Sequence, residues 1–338
     1  MKEYFGQLPD GSEVSIYTIS KGALTAKISD LGATLINLWV PDKDGKLADV
    51  VLGFDDPNAY IASTTYFGAI VGRNANRIGG AQFVLNGVTY ALDKNDNAVN
   101  NLHGGFNPYK NRMWKVERHD KASIRLSLNS PDGDHGFPGN AIIHVTYALE
   151  ADGTLKISYD AVSDKDTVFN MTNHAYFNLA GHDKPEKAMG QLLTLPARFF
   201  TVCDEKLIPT GEKRDVAGTP FDFRKPKPIG RDIDVPYEAL GGGYDHNFEV
   251  FTAPAAILCD PESGRTMAVT TDCPGIQLYA GNFLQGEKGK GGVSYCYRGG
   301  ICLETQYYPD SVNHPEWPQP FVKAGQKYHS ETKYKFSC

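Results

Sequence analysis

Short runs of alternating apolar and polar residues fill most of this chain, broken by glycine, proline and asparagine. That period predicts strands rather than helices. VSIYTI (14–19) and LTAKI (24–28) are brief and rich in β-branched residues. AQFVL and VTYAL flank Asn86-Gly87 across residues 81–92, the signal of a two-residue hairpin turn. A longer hairpin covers 141–162, turning near Asp152-Gly153, and a third covers 255–271. No amphipathic helix of three turns, strict internal repeat or low-complexity segment interrupts the series. The 35 glycines and 20 prolines fall mostly between the runs, as turn punctuation. The pattern predicts an all-β protein, an antiparallel β-sandwich or barrel, in one domain over residues 1–338. Thr219 to Gly243, rich in proline and glycine, reads as a long functional loop region rather than a linker.

Composition narrows what such a fold would do. With 41% hydrophobic and 22% charged residues, the chain can bury a sizeable core. A net charge of −6 and the lack of any basic stripe argue against nucleic acid as a partner. No apolar run reaches about 18 residues, so no membrane span is expected. The opening MKEYFGQLPDG has no apolar core of a signal peptide. The cysteines, Cys203, Cys259, Cys273, Cys296, Cys302 and Cys338, form no CxxC pair. They fit neither a zinc knot nor a disulfide scaffold and suit a reducing compartment, so a cytoplasmic location is expected. Nothing in the chain selects between monomer and weak dimer.

Five stretches break the alternation and concentrate polar groups: GRNANRIGG (72–80), NNLHGG (100–105), TNHAYFNLAG (172–181), GGGYDHNF (241–248) and LETQYYPD (303–310). In an all-β protein such stretches sit at strand ends, where binding groups accumulate. GRNANRIGG is not a phosphate-cradling G-x-G-x-x-G, no helix follows it, and no G-x-S-x-G elbow is present. Histidines at zinc-ligand spacing are missing, although His103 and His174 would form part of such a site if they met in space. Asp245 and Glu304 leave a glycosidase pair open. What remains is an imidazole and a carboxylate among amides and a guanidinium. That set suits proton transfer on a polyhydroxylated substrate, since histidine titrates near neutrality and a desolvated carboxylate becomes a stronger base.

In this order, the motifs NRI, NLHGG, TNHAYFNLAG, YDHNF, GIQLYAGNF and LETQYYPD resemble those of the aldose 1-epimerase family, also called galactose mutarotases, over nearly the whole chain. The resemblance implies a large antiparallel β-sandwich, the supersandwich of that family, with its site in an open cleft. It implies interconversion of the α and β anomers of free hexoses such as D-galactose and D-glucose, with no cofactor and no metal. Glu304 resembles the general base that takes the C1 hydroxyl proton. His174 resembles the acid that protonates the ring oxygen O5, and on chemical grounds a His/Glu pair on opposite sides of a bound pyranose would be enough. His103 matches the family's second histidine, near the ring oxygen. Asn76, Arg77, Asp245 and Gln277 match contacts to sugar hydroxyls, and Tyr176 belongs to the same pocket. Asn74 departs from the small apolar residue expected there, without disturbing the site.

Plainer roles stand beside these. His174 alone would read as a buried structural histidine, Glu304 as a strand-end carboxylate, His103 and Asp245 as turn residues, and Arg77 as half of an ion pair. Arg73 is the preferred structural arginine. His119, His135, His144, His182, His246, His314 and His329 read as surface, turn or core residues, and Trp39, Trp114 and Trp317 as core. Two rivals share the fold. A hexose-6-phosphate 1-epimerase would need an Arg or Lys cluster near C6, and only Arg77 lies in a motif. A non-catalytic sugar-binding protein would be expected to have lost Glu304 or His174.

Overall fold

The computed structural model describes residues 1–338. Three antiparallel sheets hold most of the strand residues. The widest has nine strands in the order Lys115–His119, Ser123–Ser130, Ala141–Leu149, Thr154–Ser163, Tyr328–Ser337, Thr266–Thr271, Ala256–Cys259, Leu192–Thr194 and Lys227–Pro228. Five N-terminal strands, from Lys2–Gln7 to Leu47–Asp49, follow chain order in a second. The third sheet runs Pro209–Asp215, Phe199–Cys203, Asp245–Glu249, Gly275–Tyr279 and Cys302–Gln306. The all-β sandwich expected from the alternation is therefore present. The one α-helix, Pro57–Ala62, is short, and Asp56 caps it by accepting the Asn58 N–H at 2.9 Å.

All three predicted hairpins form. Asn86 and Gly87 take φ of 52° and 77°, the pair of positive values a type I′ turn needs. Strands Ala141–Leu149 and Thr154–Ser163 pair along their length, as do Ala256–Cys259 and Thr266–Thr271.

Side-chain alternation in the third sheet creates the site. Phe248, Ile276, Leu278 and Leu303 enter a core of 60 buried residues, together with Ile143, Val145, Tyr147 and Ile157 of the nine-stranded sheet. Their neighbours in sequence point to the opposite face, because strand side chains alternate with period two. That face carries Asp245 and Asn247, then Gln277 and Tyr279, then Cys302 and Glu304. The register sets Asp245 beside Tyr279, Asn247 beside Gln277, and Gln277 beside Glu304. Packing of the apolar face thus fixes where the polar face presents its groups. Truncating one such anchor, Leu278→Ala, would cost about 2–5 kcal/mol.

Thr219 to Gly243 corrects an expectation. None of its residues lines the cleft described below. Phe221 and Phe223 are fully buried, and Phe221 stacks on Phe200 with ring centroids 3.9 Å apart. The prolines and glycines shape a tight path between short 3-10 turns at Ile229–Arg231 and Glu238–Leu240. The segment seals one end of the core.

Candidate active site

The polar motifs meet because their backbones interlock. Asn76 and His103 both adopt left-handed φ, 62° and 53°, a conformation asparagine and histidine tolerate better than most residues. The His103 N–H donates to the Asn76 carbonyl, and the Asn76 N–H donates to His103 Nδ1, each at 3.1 Å. At Gly104, φ is 96° and a Cβ would fall 2.2 Å from the Gly72 carbonyl oxygen, so only glycine lets these loops touch. Beneath them Arg73 is buried and donates six hydrogen bonds to Ser130, Pro131, Pro138, Gly139 and Thr167. It is the structural arginine, as expected. Asn74 is buried against Asn170 and lies outside the cleft.

The asparagines around His174 are brackets. Asn173 donates to the Gly68 carbonyl at 2.7 Å and accepts from the Ala175 N–H at 3.1 Å. Asn178 donates to the Lys184 carbonyl and accepts from Gln191 and from the Ala180 N–H. Phe177 then exchanges backbone hydrogen bonds of 2.7 and 2.9 Å with Ile301, three residues before Glu304. This short ladder ties the histidine segment to the glutamate strand.

The result is an open cleft whose lining includes Asn76, Arg77, His103, His174, Tyr176, Asp245 and Glu304. His174 Nε2 lies 3.7 Å from Glu304 Oε1, both side chains almost wholly buried. The pair stands side by side rather than across a bound ring, because the Phe177–Ile301 ladder holds both segments on one wall. Arg77 lines the cleft and also donates from Nε to Asp96 at 3.1 Å, so it is half of an ion pair at the cleft wall. Gln277 is buried on the same sheet face as Glu304, outside the cleft lining, and donates to Asp245 Oδ1 at 2.7 Å, so it orients that carboxylate.

Burial dominates the electrostatics. The Glu304 carboxyl is pushed well above the ordinary carboxylate range by desolvation, with the nearby Asp245 charge adding to the rise and Arg77 opposing it. Its Oε2 has no hydrogen-bond partner that would stabilise the ionised form. Burial lowers His174 to about 4, and a hydrogen bond to its own backbone offsets only part of this. Burial thus moves both groups toward their neutral forms, raising Glu304 and lowering His174. Asp245 is also raised by desolvation, against the pull of Arg77 and Gln277. His103 is held well below its usual range by burial, then by His174 and Arg77. Being neutral, with Nδ1 accepting from Asn76, it carries its proton on Nε2 and can donate there.

Sequence reasoning missed Thr64, Thr65, Tyr66, Leu102, Tyr279, Phe283 and Leu284, which complete the lining. Tyr279 and Phe283 lie inside GIQLYAGNF, so their motif was visible while their role was not. Tyr66 stacks on His174 with centroids 5.6 Å apart, and Tyr176 makes a similar stack at 5.2 Å. Nothing around Tyr66 in the sequence marks it. The seven remaining histidines and the three tryptophans lie outside the cleft.

The sequence profile described as aldose 1-epimerase matches residues 15–335. The chain is 41% identical to a galactose mutarotase of Bos taurus, over 98% of this chain and 97% of that one. It is 39% identical to an aldose 1-epimerase of Haemophilus influenzae, over 97% of each. Among solved structures, an aldose epimerase homologue from C. elegans superposes with a TM-score of 0.88 at 33% identity, covering 96% of this chain and 99% of the other.

Proposed function

The chain belongs to the aldose 1-epimerase family, and from that premise we infer that Glu304 and His174 interconvert the anomers of a free aldohexose such as galactose or glucose. Glu304 acts as base and His174 as acid. The observation that carries this reading is the buried 3.7 Å contact between His174 Nε2 and Glu304 Oε1 in the cleft wall.

The reacting oxygens suit that spacing, since O1 and O5 are borne by the same carbon. In the ring-opening direction the pair starts as carboxylate and imidazolium. Glu304 takes the proton from the C1 hydroxyl, the C1=O bond forms, and the C1–O5 bond breaks. O5 takes the proton from His174 Nε2. Glu304 is then neutral and so is His174. Rotation about C1–C2 presents the other carbonyl face, and the steps reverse. The proton count of the pair is one throughout, so no cofactor is consumed. Asp245, held by Gln277, and Arg77 and Asn76 accept and donate to sugar hydroxyls, and His103 supports the ring oxygen.

The cleft lining contains a single cationic side chain, Arg77, already engaged by Asp96. A phosphorylated hexose would find no cluster to receive its dianion, which favours a free sugar over a 6-phosphate. A cytoplasmic setting agrees with the six free thiols. No helix is long and apolar enough to cross a membrane.

Polarimetry tests the assignment. Freshly dissolved α-D-galactose or α-D-glucose should reach its final rotation faster with the protein than without it. Glu304→Gln keeps the shape and removes the base, so turnover should fall on the order of 10²–10⁴-fold while sugar still binds. Unchanged turnover in Glu304→Gln would sink the role of the glutamate.

A further inference from the structure

We propose that Cys302 is a positioning residue for His174: its sulfur accepts the Nδ1–H and holds the imidazole in the tautomer whose Nε2 faces the sugar. Cys302 is fully buried, and its Sγ lies 3.6 Å from His174 Nδ1. It occupies the same strand and the same face as Glu304, two residues earlier. One strand thus addresses both nitrogens of the ring, with Sγ at Nδ1 and the carboxylate at Nε2. Tyr66 and Tyr176 both stack on that ring, at interplanar angles of 27° and 25°. The imidazole is therefore fixed in plane by aromatics and in rotation by the sulfur.

The chemistry requires this tautomer. When imidazolium gives its Nε2 proton to O5, the neutral ring that remains must carry its proton on Nδ1. Only then is the Nε2 lone pair free to take the proton back when the ring closes. A neutral thiol accepts from Nδ1–H in both the charged and the neutral state of the imidazole. A carboxylate in its place would instead hold the imidazolium and resist proton release. The Cys302 thiol stays neutral, because burial and the nearby Glu304 and Asp245 charges raise it well above its ordinary value.

The inference rests on His174 being the acid, and the experiment separates the two claims. Turnover of α-D-galactose and α-D-glucose is measured for His174→Gln, Cys302→Ala and Cys302→Ser, and ¹⁵N NMR reads the His174 ring in the wild type. Loss of turnover in His174→Gln is expected. Cys302→Ala should lose about ten- to hundred-fold in kcat with KM little changed, as for one lost hydrogen bond to a group that becomes charged. Cys302→Ser restores an acceptor and should recover most of that loss. The wild-type ring should carry its proton on Nδ1, a reading that needs no variant to fold. Activity surviving in His174→Gln overturns the acid assignment and the inference with it. If that variant is inactive, full kcat in Cys302→Ala, equal losses in the Ala and Ser variants, or an Nε2–H ring overturns the role of Cys302 alone.

Discussion

His246 offers a stability test that leaves the cleft lining in place. It lies on the core face of strand Asp245–Glu249, 2% exposed, with its ring edge-on to Phe221 at 4.7 Å and to Phe200 at 6.1 Å. Its Nδ1 accepts the Asp245 N–H at 3.1 Å. Burial lowers its pKa from 6.5 to about 4, and a hydrogen bond to the Ala239 backbone offsets part of that. The folded protein therefore refuses a proton that the unfolded chain accepts between pH 6.5 and 4. Stability is lost as pH falls through that window. Summed over the titration, this one group removes about 2 kcal/mol of folding free energy at pH 5 relative to pH 8. His103 and His174 act in the same sense, and the raised carboxyls of Glu304 and Asp245 in the opposite one, so the effect must be read as a difference. Urea unfolding is measured at pH 5 and pH 8 for the wild type and for His246→Asn. Asparagine keeps an acceptor for the Asp245 N–H and does not titrate. The wild type should lose about 2 kcal/mol more than the variant on going to pH 5. Equal losses would refute burial as the cause of the shift.

Two further perturbations probe the site and its support. Asp245→Asn removes the charge that helps raise Glu304. The alkaline limb of kcat should move to lower pH and KM should rise; a limb that stays put or moves upward counts against the coupling. Arg73→Lys replaces a side chain that makes six hydrogen bonds with one that has three donors. Urea unfolding should report a loss of about 2–4 kcal/mol, and an unchanged midpoint would show that the buried carbonyls find other partners.

The strands were legible because alternation is a local signal. The turn at Asn86-Gly87 could be read residue by residue, since two positive φ values in succession leave few choices of sequence. His174 and Glu304 were legible as candidate chemistry, and so were Asn76, Arg77, His103, Tyr176 and Asp245 beside them in the cleft. Their arrangement was not. Placing the two side by side depends on the Phe177–Ile301 ladder, which joins residues 124 positions apart, and no local pattern encodes that pairing. Gln277 was read as a sugar contact from its motif, which marks the strand and face but not the side-chain partner its amide takes. The register that sets it against Glu304 and Asn247 gives it the Asp245 carboxylate as its partner. Thr219 to Gly243 misled for a related reason. Proline and glycine mark an irregular path equally well whether it borders a site or closes a core, and Phe221 and Phe223 decide for the core.

Depth, more than residue identity, sets how the pair holds its proton. In water a glutamate titrates at 4.5 and a histidine at 6.5, the reference values of both groups here. Such an exposed pair would hold one proton only between those limits and none at pH 7.5. It would then have a base but no acid. Burial acts on the two groups in opposite directions, because it disfavours the charged form of each. Glu304 keeps its proton well above 4.5, and His174 declines a second one until about 4. The window in which the pair holds one proton therefore widens at both edges, upward from Glu304 and downward from His174. Asp245 widens it further on the alkaline side through its own charge. The neutral pair favoured by the dry site is also the state in which ring opening ends and ring closing begins. The same desolvation that sets the proton count thus brings the two directions of the reaction closer to balance.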